Sequence, residues 1–183
     1  MSGTDQQSAS DPVAAEPRKA ANWRVLLAGR NPRVTLARAC VLATICFVLF
    51  KFILLPARIT GESMEPTYRN GGVNLINRLA YFGSKPQRGD VIGVTLTGRN
   101  IQYFKRIIAM PGETFWIREG VVYIDGQALA ETYTTPNVNW TTKEETSLGP
   151  EKYVVIGDNR SMDMALHEWG IIKRDRIVGK VFF

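Results

Sequence analysis

The sequence predicts a small, mostly β domain attached to one N-terminal transmembrane helix. Three observations predict this class. Residues 39–55 are apolar apart from one lysine, the chain beyond residue 58 shows the two-residue alternation of strands, and pairs of turn residues separate its apolar segments. With 183 residues, 45% hydrophobic and 22% charged, the chain has room for one compact domain, which excludes a polytopic membrane protein and a wholly disordered chain.

The composition of residues 1–35 predicts a cytoplasmic, largely disordered basic tail. The first 22 residues are rich in Ser, Asp, Ala and Gln and show no apolar periodicity. Six Arg and Lys residues precede residue 39, against three acidic residues. By the positive-inside rule, this excess places the N-terminus in the cytoplasm. We therefore interpret the net charge of +6 as a signal of membrane topology rather than of nucleic-acid binding.

We predict that residues 36–56 form the transmembrane anchor helix. The apolar run 39–55 is at the short end of the roughly 20 residues that span a bilayer. Lys51 lies near the end of this run, where its long side chain reaches the interface. A buried core helix would show a polar face, and a cleaved signal peptide fits poorly behind so many preceding residues. Cys40 and Cys46 both fall in this run, so the exported part has no disulfide and no Cys-type zinc site.

We predict that residues 57–183 form an exported domain built on a curled or barrel-like antiparallel sheet. Short β-branched or aromatic runs, typical of strands, cover residues 73–76, 90–96, 101–108, 153–156 and 178–183. Two turn signals, Glu119–Gly120 and Asp125–Gly126, favour an antiparallel meander. Residues 75–82 allow one turn of helix, and the composition of residues 131–150 indicates a loop.

Ser63 is a candidate nucleophile. It lies in a turn-like segment close to the predicted membrane face, and Pro66 stiffens this segment. A serine hydroxyl needs a neighbouring base to become a nucleophile. One candidate base is His167, the only histidine in the sequence. It would act in a Ser-His-Asp arrangement with Asp158 or Asp163.

Lys105 is the other candidate base. A lysine can take this role only when desolvation lowers its pKa toward neutrality. Strand alternation places the Lys105 side chain on one face with three apolar residues, Ile101, Tyr103 and Ile107. The ordinary alternative is a lysine whose amine reaches solvent at the edge of a sheet. These patterns leave both His167 and Lys105 as possible bases.

Four segments resemble, in order, the sequence boxes of type I signal peptidases. They are residues 63–67 (SMEPT), 88–91 (RGDV), 103–113 (YFKRIIAMPGE) and 157–160 (GDNR). The resemblance spans about residues 36–183, and four boxes in the family's order are a specific signal where any one would be weak. It implies a β-rich domain that rests on the membrane and uses neither a metal nor a cofactor.

The resemblance also implies the chemistry. Ser63 is the implied nucleophile, Lys105 the general base of a Ser/Lys dyad, and Met64 a substrate contact. The implied reaction removes signal peptides from secretory preproteins, after a small-x-small motif, at the outer face of the cytoplasmic membrane. The expected partners are preprotein signal peptides and the lipid bilayer, without nucleic acid. Some members carry a serine two positions before the nucleophile, where this chain has Gly61.

The resemblance breaks after Arg160. An ungapped alignment puts different residues at the family's next Ser, Asp, Ser and Arg positions, namely Asp163, Ala165, Leu166 and His167. An aspartate in contact with Lys105 would raise the lysine pKa and oppose its use as a base. Shifting the alignment by two residues instead matches Ser161 and Asp163 to the family's pattern. Asp158 and Arg160 are interpreted as residues that brace the turn and the sheet.

Two alternatives stay open on the sequence. A relative that processes one dedicated substrate, such as a pilin of a conjugation system, would carry the same boxes. A catalytically impaired homologue that binds signal peptides or scaffolds a secretion complex would account for the altered segment 161–167.

Overall fold

The computed structural model describes residues 31–95, 102–135 and 140–182. The chain divides into two compact units, Met1–Ala43 and Thr44–Phe183. Helix α1 (Pro32–Val48) continues into a π-helical turn, Leu49–Ile53. Within the described ranges, this stretch is the one helix long and apolar enough to span a membrane, and none of its residues is buried. It begins and ends earlier than the predicted 36–56, because the backbone becomes extended and joins a sheet directly after the π-helical turn.

The rest of the described chain is built from short strands. These are β1 (Leu54–Arg58), β2 (Val73–Asn77), β3 (Val91–Thr95), β4 (Gln102–Ala109), β5 (Thr114–Arg118), β6 (Val121–Ile124), β7 (Gln127–Ala128), β8 (Thr146–Ser147), β9 (Lys152–Ile156), β10 (Gly170–Lys173) and β11 (Ile177–Val181). Two single 3-10 turns, Met164–Leu166 and Arg174–Arg176, flank β10. The expected mostly β domain is confirmed.

The strands form two antiparallel sheets. The larger sheet has the order β1-β2-β11-β3-β4-β9-β10, and the smaller sheet has the order β7-β6-β5-β8. In the described part of the chain, β1 pairs only with β2 and β10 only with β9, so the large sheet keeps two edges. The sheets are therefore not closed into a barrel, and of the two forms that the sequence allowed, a curled or a barrel-like sheet, the barrel-like form is wrong. Pro56 in β1 has no N–H to donate, which suits an edge strand.

The turns predicted in the smaller sheet are confirmed. Glu119 and Gly120, between β5 and β6, have φ values of 50° and 79°. Asp125 and Gly126, between β6 and β7, have φ values of 49° and 77°. Two successive residues with positive φ give the tight turn whose twist matches that of the paired strands. The sequence pattern therefore set both the place and the geometry of the β5-β6-β7 meander.

Three details differ from the expectations. Residues 75–82 form no helical turn, because β2 runs to Asn77, whose side chain then accepts a hydrogen bond from the Leu79 N–H. The predicted loop 131–150 contains strand β8, which pairs with β5, and its residues 136–139 lie outside the described residues. The last strand ends at Val181, and the predicted end at Phe183 lies outside the described residues.

The centre of the large sheet is packed on both faces. Every residue of β3 is buried except the last, and every residue of β9 except the first. The strands approach closely at Ile76, which is fully buried in β2. A Cβ atom on Gly179 would lie 2.2 Å from the carbonyl oxygen of Asn77, and one on Gly93 would lie 2.6 Å from Ile76 Cδ1. Glycine therefore allows β11 and β3 to pack against β2.

We expect Gly179→Ala to destabilise the domain by about 1–3 kcal/mol or more, because the added methyl group meets a backbone atom that cannot move without shifting β2. Thermal unfolding of the full chain in detergent micelles measures the change. Gly170→Ala is the matched control, since Gly170 also lies in a strand of this sheet but has no atom within 4 Å of its added Cβ. Equal unfolding temperatures for the two variants would contradict the packing described.

Candidate active site

Ser63 lies in a tight turn between β1 and β2 that is anchored by buried neighbours. Met64 and Tyr68 belong to one apolar cluster under the turn, and the Tyr68 N–H donates to the Met64 carbonyl over 2.9 Å. Gly61 has a φ of 96°, a conformation that glycine adopts without strain. The Met64 side chain is 2% exposed, so its observed role is to hold the turn. Its predicted contact with substrate stays a prediction.

The segment that follows β9 holds the Ser63 turn from the other side. The Asn159 N–H donates to the Ser63 carbonyl, and the Asn159 side-chain amide donates to the Glu62 carbonyl, each over 3.0 Å. A Cβ atom on Gly157 would lie 2.0 Å from the Ser63 carbonyl oxygen. This close approach requires glycine at position 157 and fixes the backbone of Ser63.

Lys105 lies in the middle of β4, opposite Ile92 of β3, and is 2% exposed. Its Nζ lies 2.8 Å from Ser63 Oγ and 2.7 Å from the carbonyl oxygen of His167. The structure therefore brings together the two residues that the resemblance pairs. The second partner of the amine, the main-chain carbonyl of His167, was not expected from the sequence.

The surroundings of Lys105 favour its neutral form. Burial lowers the pKa of Lys105 to about 8, because little water is left to solvate an ammonium ion. The carboxylate of Glu168 acts in the opposite direction and raises this pKa, but it is exposed and its effect is the smaller one. A lysine with this pKa is partly neutral near physiological pH, which a general base requires.

Arg106, the next residue of β4, points to the opposite face of the strand from Lys105 and is permanently charged. Arg106 forms a two-point ion pair with Asp158, with Nε–Oδ1 and Nη2–Oδ2 distances of 2.8 and 2.6 Å. The Thr67 hydroxyl also donates to Asp158. Burial works against the charged guanidinium, but Asp158 outweighs it and raises the pKa of Arg106. This pair ties β4 to the segment that holds the Ser63 turn.

Arg160 extends the same buried network. Its Nε donates to the Gly157 carbonyl over 2.9 Å, and its Nη2 forms an ion pair with Glu131. The centroid of the Tyr133 ring lies 4.0 Å from the guanidinium carbon of Arg106, and the Tyr133 hydroxyl donates a hydrogen bond to Glu131. Asp158 and Arg160 are thus occupied by opposite charges and by the backbone. This is the arrangement expected of bracing residues rather than of acid–base groups.

The Ser-His-Asp alternative is not assembled. Both carboxylates proposed for it contact other groups, Asp158 the arginine described above and Asp163 the N–H of Ala165. His167 accepts a hydrogen bond from the Gly157 N–H at Nε2 over 2.9 Å, and no hydrogen bond among the described residues joins its ring to Ser63. Burial, aided by nearby positive charges, lowers the pKa of His167 to about 3.

The condition under which Asp163 would raise the pKa of Lys105, a contact between the two side chains, is not met among the described residues. Asp163 is exposed and caps the 3-10 turn Met164–Leu166, and within the described part of the chain no ion pair links it to Lys105. Neither alignment of this segment foresaw that the turn presents a backbone carbonyl, that of His167, to the amine. The group that this turn presents to Lys105 is thus a main-chain acceptor.

Sequence reasoning missed Arg106, Thr67 and Glu131. For Arg106 a signal was present, because strand alternation places this arginine on the same face as Phe104 and Ile108, and a guanidinium buried among apolar side chains needs a carboxylate partner. The identity of that partner, 52 positions away in the sequence, had no local signal. Thr67 and Glu131 lie in a turn and in a loop, where polar residues are ordinary.

Comparisons with known proteins agree on one family. The family model described as "Signal peptidase, peptidase S26" matches residues 33–183. Signal peptidase IB of Staphylococcus aureus is 31% identical over 156 residues, which cover 76% of this chain and 81% of that protein. Signal peptidase I T of Bacillus subtilis is 34% identical over 168 residues, which cover 84% of this chain and 86% of that protein.

A solved structure is also similar. The crystal structure of a signal peptidase I from Enterococcus faecalis V583 aligns with a TM-score of 0.44 and 28% sequence identity. The alignment covers 54% of this chain and 98% of that chain.

We expect Asp158→Asn to destabilise the domain by about 3–5 kcal/mol, because it leaves the Arg106 guanidinium buried without a counter-charge. The free energy of unfolding in urea measures this loss. Lys180→Gln is the matched control, since it removes an ion pair with Asp90 in which the lysine is 41% exposed, and it should cost at most about 1 kcal/mol. Similar losses of unfolding free energy for both variants would show that the buried pair stabilises the domain no more than the exposed one does.

Proposed function

This chain belongs to the S26 family of signal peptidases as a type I signal peptidase, and from that premise we propose that Ser63 and Lys105 form its catalytic dyad. The enzyme is a peptidase whose substrates are preproteins. In the proposed reaction, Ser63 is the nucleophile and Lys105 is its general base. Cleavage follows a small-x-small motif at the end of the signal peptide.

One observation supports the dyad above all others. The Nζ atom of Lys105 lies 2.8 Å from Ser63 Oγ while the lysine is buried and no carboxylate among the described residues contacts it. The distance lies within the range that proton transfer requires. Burial without a counter-ion makes the amine a base near neutral pH rather than a permanent cation. Proximity and basicity, the two properties required of a general base, thus occur in one residue.

The first half of the reaction forms an acyl-enzyme. Ser63 Oγ attacks the carbonyl carbon of the scissile peptide bond while neutral Lys105 takes the hydroxyl proton. The tetrahedral intermediate collapses as the peptide C–N bond breaks, and the ammonium of Lys105 gives its proton to the leaving nitrogen. The mature protein departs as an amine, and the signal peptide stays bound to Ser63 as an ester.

The second half restores the enzyme. A water molecule takes the place of the leaving amine, and neutral Lys105 accepts one of its protons as the oxygen attacks the ester carbonyl. The bond between the ester carbonyl carbon and Ser63 Oγ breaks, and Lys105 returns the proton to Oγ. The signal peptide leaves as a carboxylic acid, which ionises in water.

The oxyanion that forms in each half requires hydrogen-bond donors. We assign one of them to the N–H of Ser63, which no described residue uses in a hydrogen bond. The second donor that some family members supply from a serine side chain is missing here, because that position is Gly61. The hydrogen bond from the Asn159 side-chain amide to the Glu62 carbonyl supports this assignment, since that carbonyl and the Ser63 N–H belong to the same peptide plane.

We further propose the membrane topology. The helix Pro32–Ile53 anchors the chain in the cytoplasmic membrane, the basic residues that precede the helix stay in the cytoplasm, and the domain 57–183 lies on the outer face. The excess of Arg and Lys before residue 39 supports this orientation. The residues after position 55 carry a net charge of only +2, so the exported domain has no basic excess of the kind that nucleic-acid binding needs.

The dyad is tested by preprotein cleavage in detergent micelles. We expect Ser63→Ala to abolish cleavage, because it removes the nucleophilic hydroxyl. We expect Lys105→Ala to lower kcat/KM by about 10²–10⁴-fold, because it removes the general base. Lys105→Arg should be equally inactive, since a guanidinium does not deprotonate at any pH used. Cleavage that survives Lys105→Ala would overturn the dyad.

Matched controls and substrates complete this experiment. Ser147→Ala and Lys152→Ala remove an exposed serine and an exposed lysine elsewhere in the domain and should leave the rate unchanged. Cleavage of an unrelated preprotein separates a general signal peptidase from an enzyme dedicated to one substrate such as a pilin. Binding of a signal peptide without cleavage by the wild-type protein would favour the scaffold alternative.

The protonation of Lys105 gives a pH prediction. Since the base is active only when neutral, kcat/KM should rise with pH through about 8. The Glu168 carboxylate raises the pKa of Lys105, so Glu168→Gln should lower it and move the acid limb of the pH profile toward lower pH by a fraction of a pH unit. The pH dependence of kcat/KM on a preprotein or peptide substrate measures this shift.

Glu151→Gln is the matched control for this prediction. Glu151 is also an exposed glutamate with a positive φ, 60° against 51° for Glu168, so the two substitutions impose the same change on the backbone and the net charge. Its acid limb should coincide with that of the wild type. An equal shift in both variants would assign the effect to net charge rather than to Glu168.

A further inference from the structure

His167 is fully buried beside the dyad, yet the mechanism above gives its side chain no part in proton transfer. Besides its main-chain N–H bond to Met164, the residue accepts two hydrogen bonds, one at its carbonyl and one at its ring. Its main-chain carbonyl accepts from Lys105 Nζ over 2.7 Å, and its ring Nε2 accepts from the Gly157 N–H over 2.9 Å. The first bond reaches the proposed base, and the second reaches the segment that packs against the proposed nucleophile.

We propose that His167 is a positioning residue whose anchored ring holds its own carbonyl on Lys105 Nζ and, through Gly157, holds Ser63 in register with that amine. This inference rests on the dyad proposed above. In the ungapped alignment, His167 falls at the family's arginine position.

The ring is anchored on two sides. It packs edge-on against Trp140, with ring centroids 4.7 Å apart, and Trp140 is itself fixed by a hydrogen bond from its Nε1 to the Met162 carbonyl over 2.9 Å. The Gly157 N–H holds the opposite side of the imidazole. A ring restrained in this way restricts the backbone torsions of its own residue. The direction of the His167 carbonyl therefore follows from the packing of its side chain.

The backbone around His167 needs this restraint. His167 ends a single 3-10 turn with φ and ψ of −80° and −11°, and Glu168 then turns the chain with a φ of 51°. A single turn has little stability of its own, and a non-glycine residue with positive φ adds strain. With the ring released, this segment has few local contacts that would keep the carbonyl aimed at Lys105.

The second arm of the proposal passes through Gly157. A Cβ atom at this position would lie 2.0 Å from the Ser63 carbonyl oxygen and 2.7 Å from His167 Nε2, so the glycine is wedged between the nucleophile's backbone and the imidazole. Asn159, two residues later, donates to the Ser63 carbonyl. The imidazole therefore supports both members of the dyad from one site.

The ring keeps its acceptor over the pH range in which Lys105 titrates. Burial, together with the positive charges of Lys105 and Arg160, lowers the pKa of His167 to about 3, so the imidazole stays neutral and Nε2 stays free to accept. The other charged groups nearby are Glu131, which is paired with Arg160, and the exposed Glu168. A pH effect in this region therefore reports on Lys105 rather than on the histidine.

The test uses two substitutions of nearly equal size. His167→Gln keeps an acceptor at the end of the side chain, and His167→Met offers similar length and volume without one. Glutamine brings an amide N–H that finds no partner in this site. The histidine already has the same defect, since its Nδ1 atom has no hydrogen-bond partner among the described residues, so the substitution adds little to the cost of burying an unpaired polar group. Full-length variants in detergent micelles are compared by kcat, KM and the pH profile of preprotein cleavage, with thermal unfolding measured in parallel.

We expect His167→Met to lower kcat by about 10–100-fold with little change in KM, because small misplacements of reacting groups are costly. Its acid limb should move to higher pH, since an amine released toward solvent regains a more ordinary pKa. His167→Gln should recover most of the activity and keep the wild-type limb. Leu166→Ala, which truncates the exposed neighbouring side chain, should match the wild type.

Two results would overturn the proposal. One is wild-type kcat in His167→Met, and the other is a loss in that variant with an unmoved acid limb, which indicates only a smaller folded fraction. Should the methionine variant fail to fold, the glutamine variant decides, and a low kcat in folded His167→Gln contradicts the proposal. Ser63→Ala and Lys105→Ala run beside these variants, because cleavage by either alanine variant would reject the dyad itself.

Discussion

The amine of Lys105 is buried against two neutral oxygen atoms, the Ser63 hydroxyl and the His167 carbonyl, at 2.8 and 2.7 Å. Neither oxygen carries the negative charge that would offset the loss of solvent, so the pKa of this amine falls to about 8. The other parts of the site meet around this contact. The Ser63 turn supplies one oxygen, the 3-10 turn Met164–Leu166 leads to the other, and Gly157 lies between them.

Strand β4 carries two consecutive cationic residues into the interior with opposite outcomes. Arg106 cannot lose its proton, so its burial requires Asp158, and this pair also fastens β4 to the segment that follows β9. Lys105 can become neutral, so its burial requires no carboxylate. Alternation along the strand keeps the two side chains on opposite faces. The ion pair can thus stabilise the site without raising the pKa of the proposed base.

Much of the fold was predictable because its signals are local. The apolar run, the alternating strands and the turns at Glu119 and Asp125 all follow from side-chain hydropathy and backbone preference. The barrel was not predictable, since closure depends on whether β1 and β10, far apart in sequence, pair with each other. Whether Asp163 would contact Lys105 was open for a similar reason. The aspartate caps its own turn, and no pattern weighs that local bond against a distant one.

The sequence by itself predicted the N-terminal apolar helix and the strand periods, because apolar runs and alternation follow from side-chain chemistry. Its motif spacing, through the family resemblance, indicated the pair of candidate residues. Only the tertiary structure decided that Lys105 meets Ser63, 42 positions away, and that both rest against the residues around His167 and Gly157. Contacts of this kind depend on strand register and packing between distant segments. A backbone carbonyl is moreover the same group at every position, so no sequence pattern could mark the one that contacts Lys105.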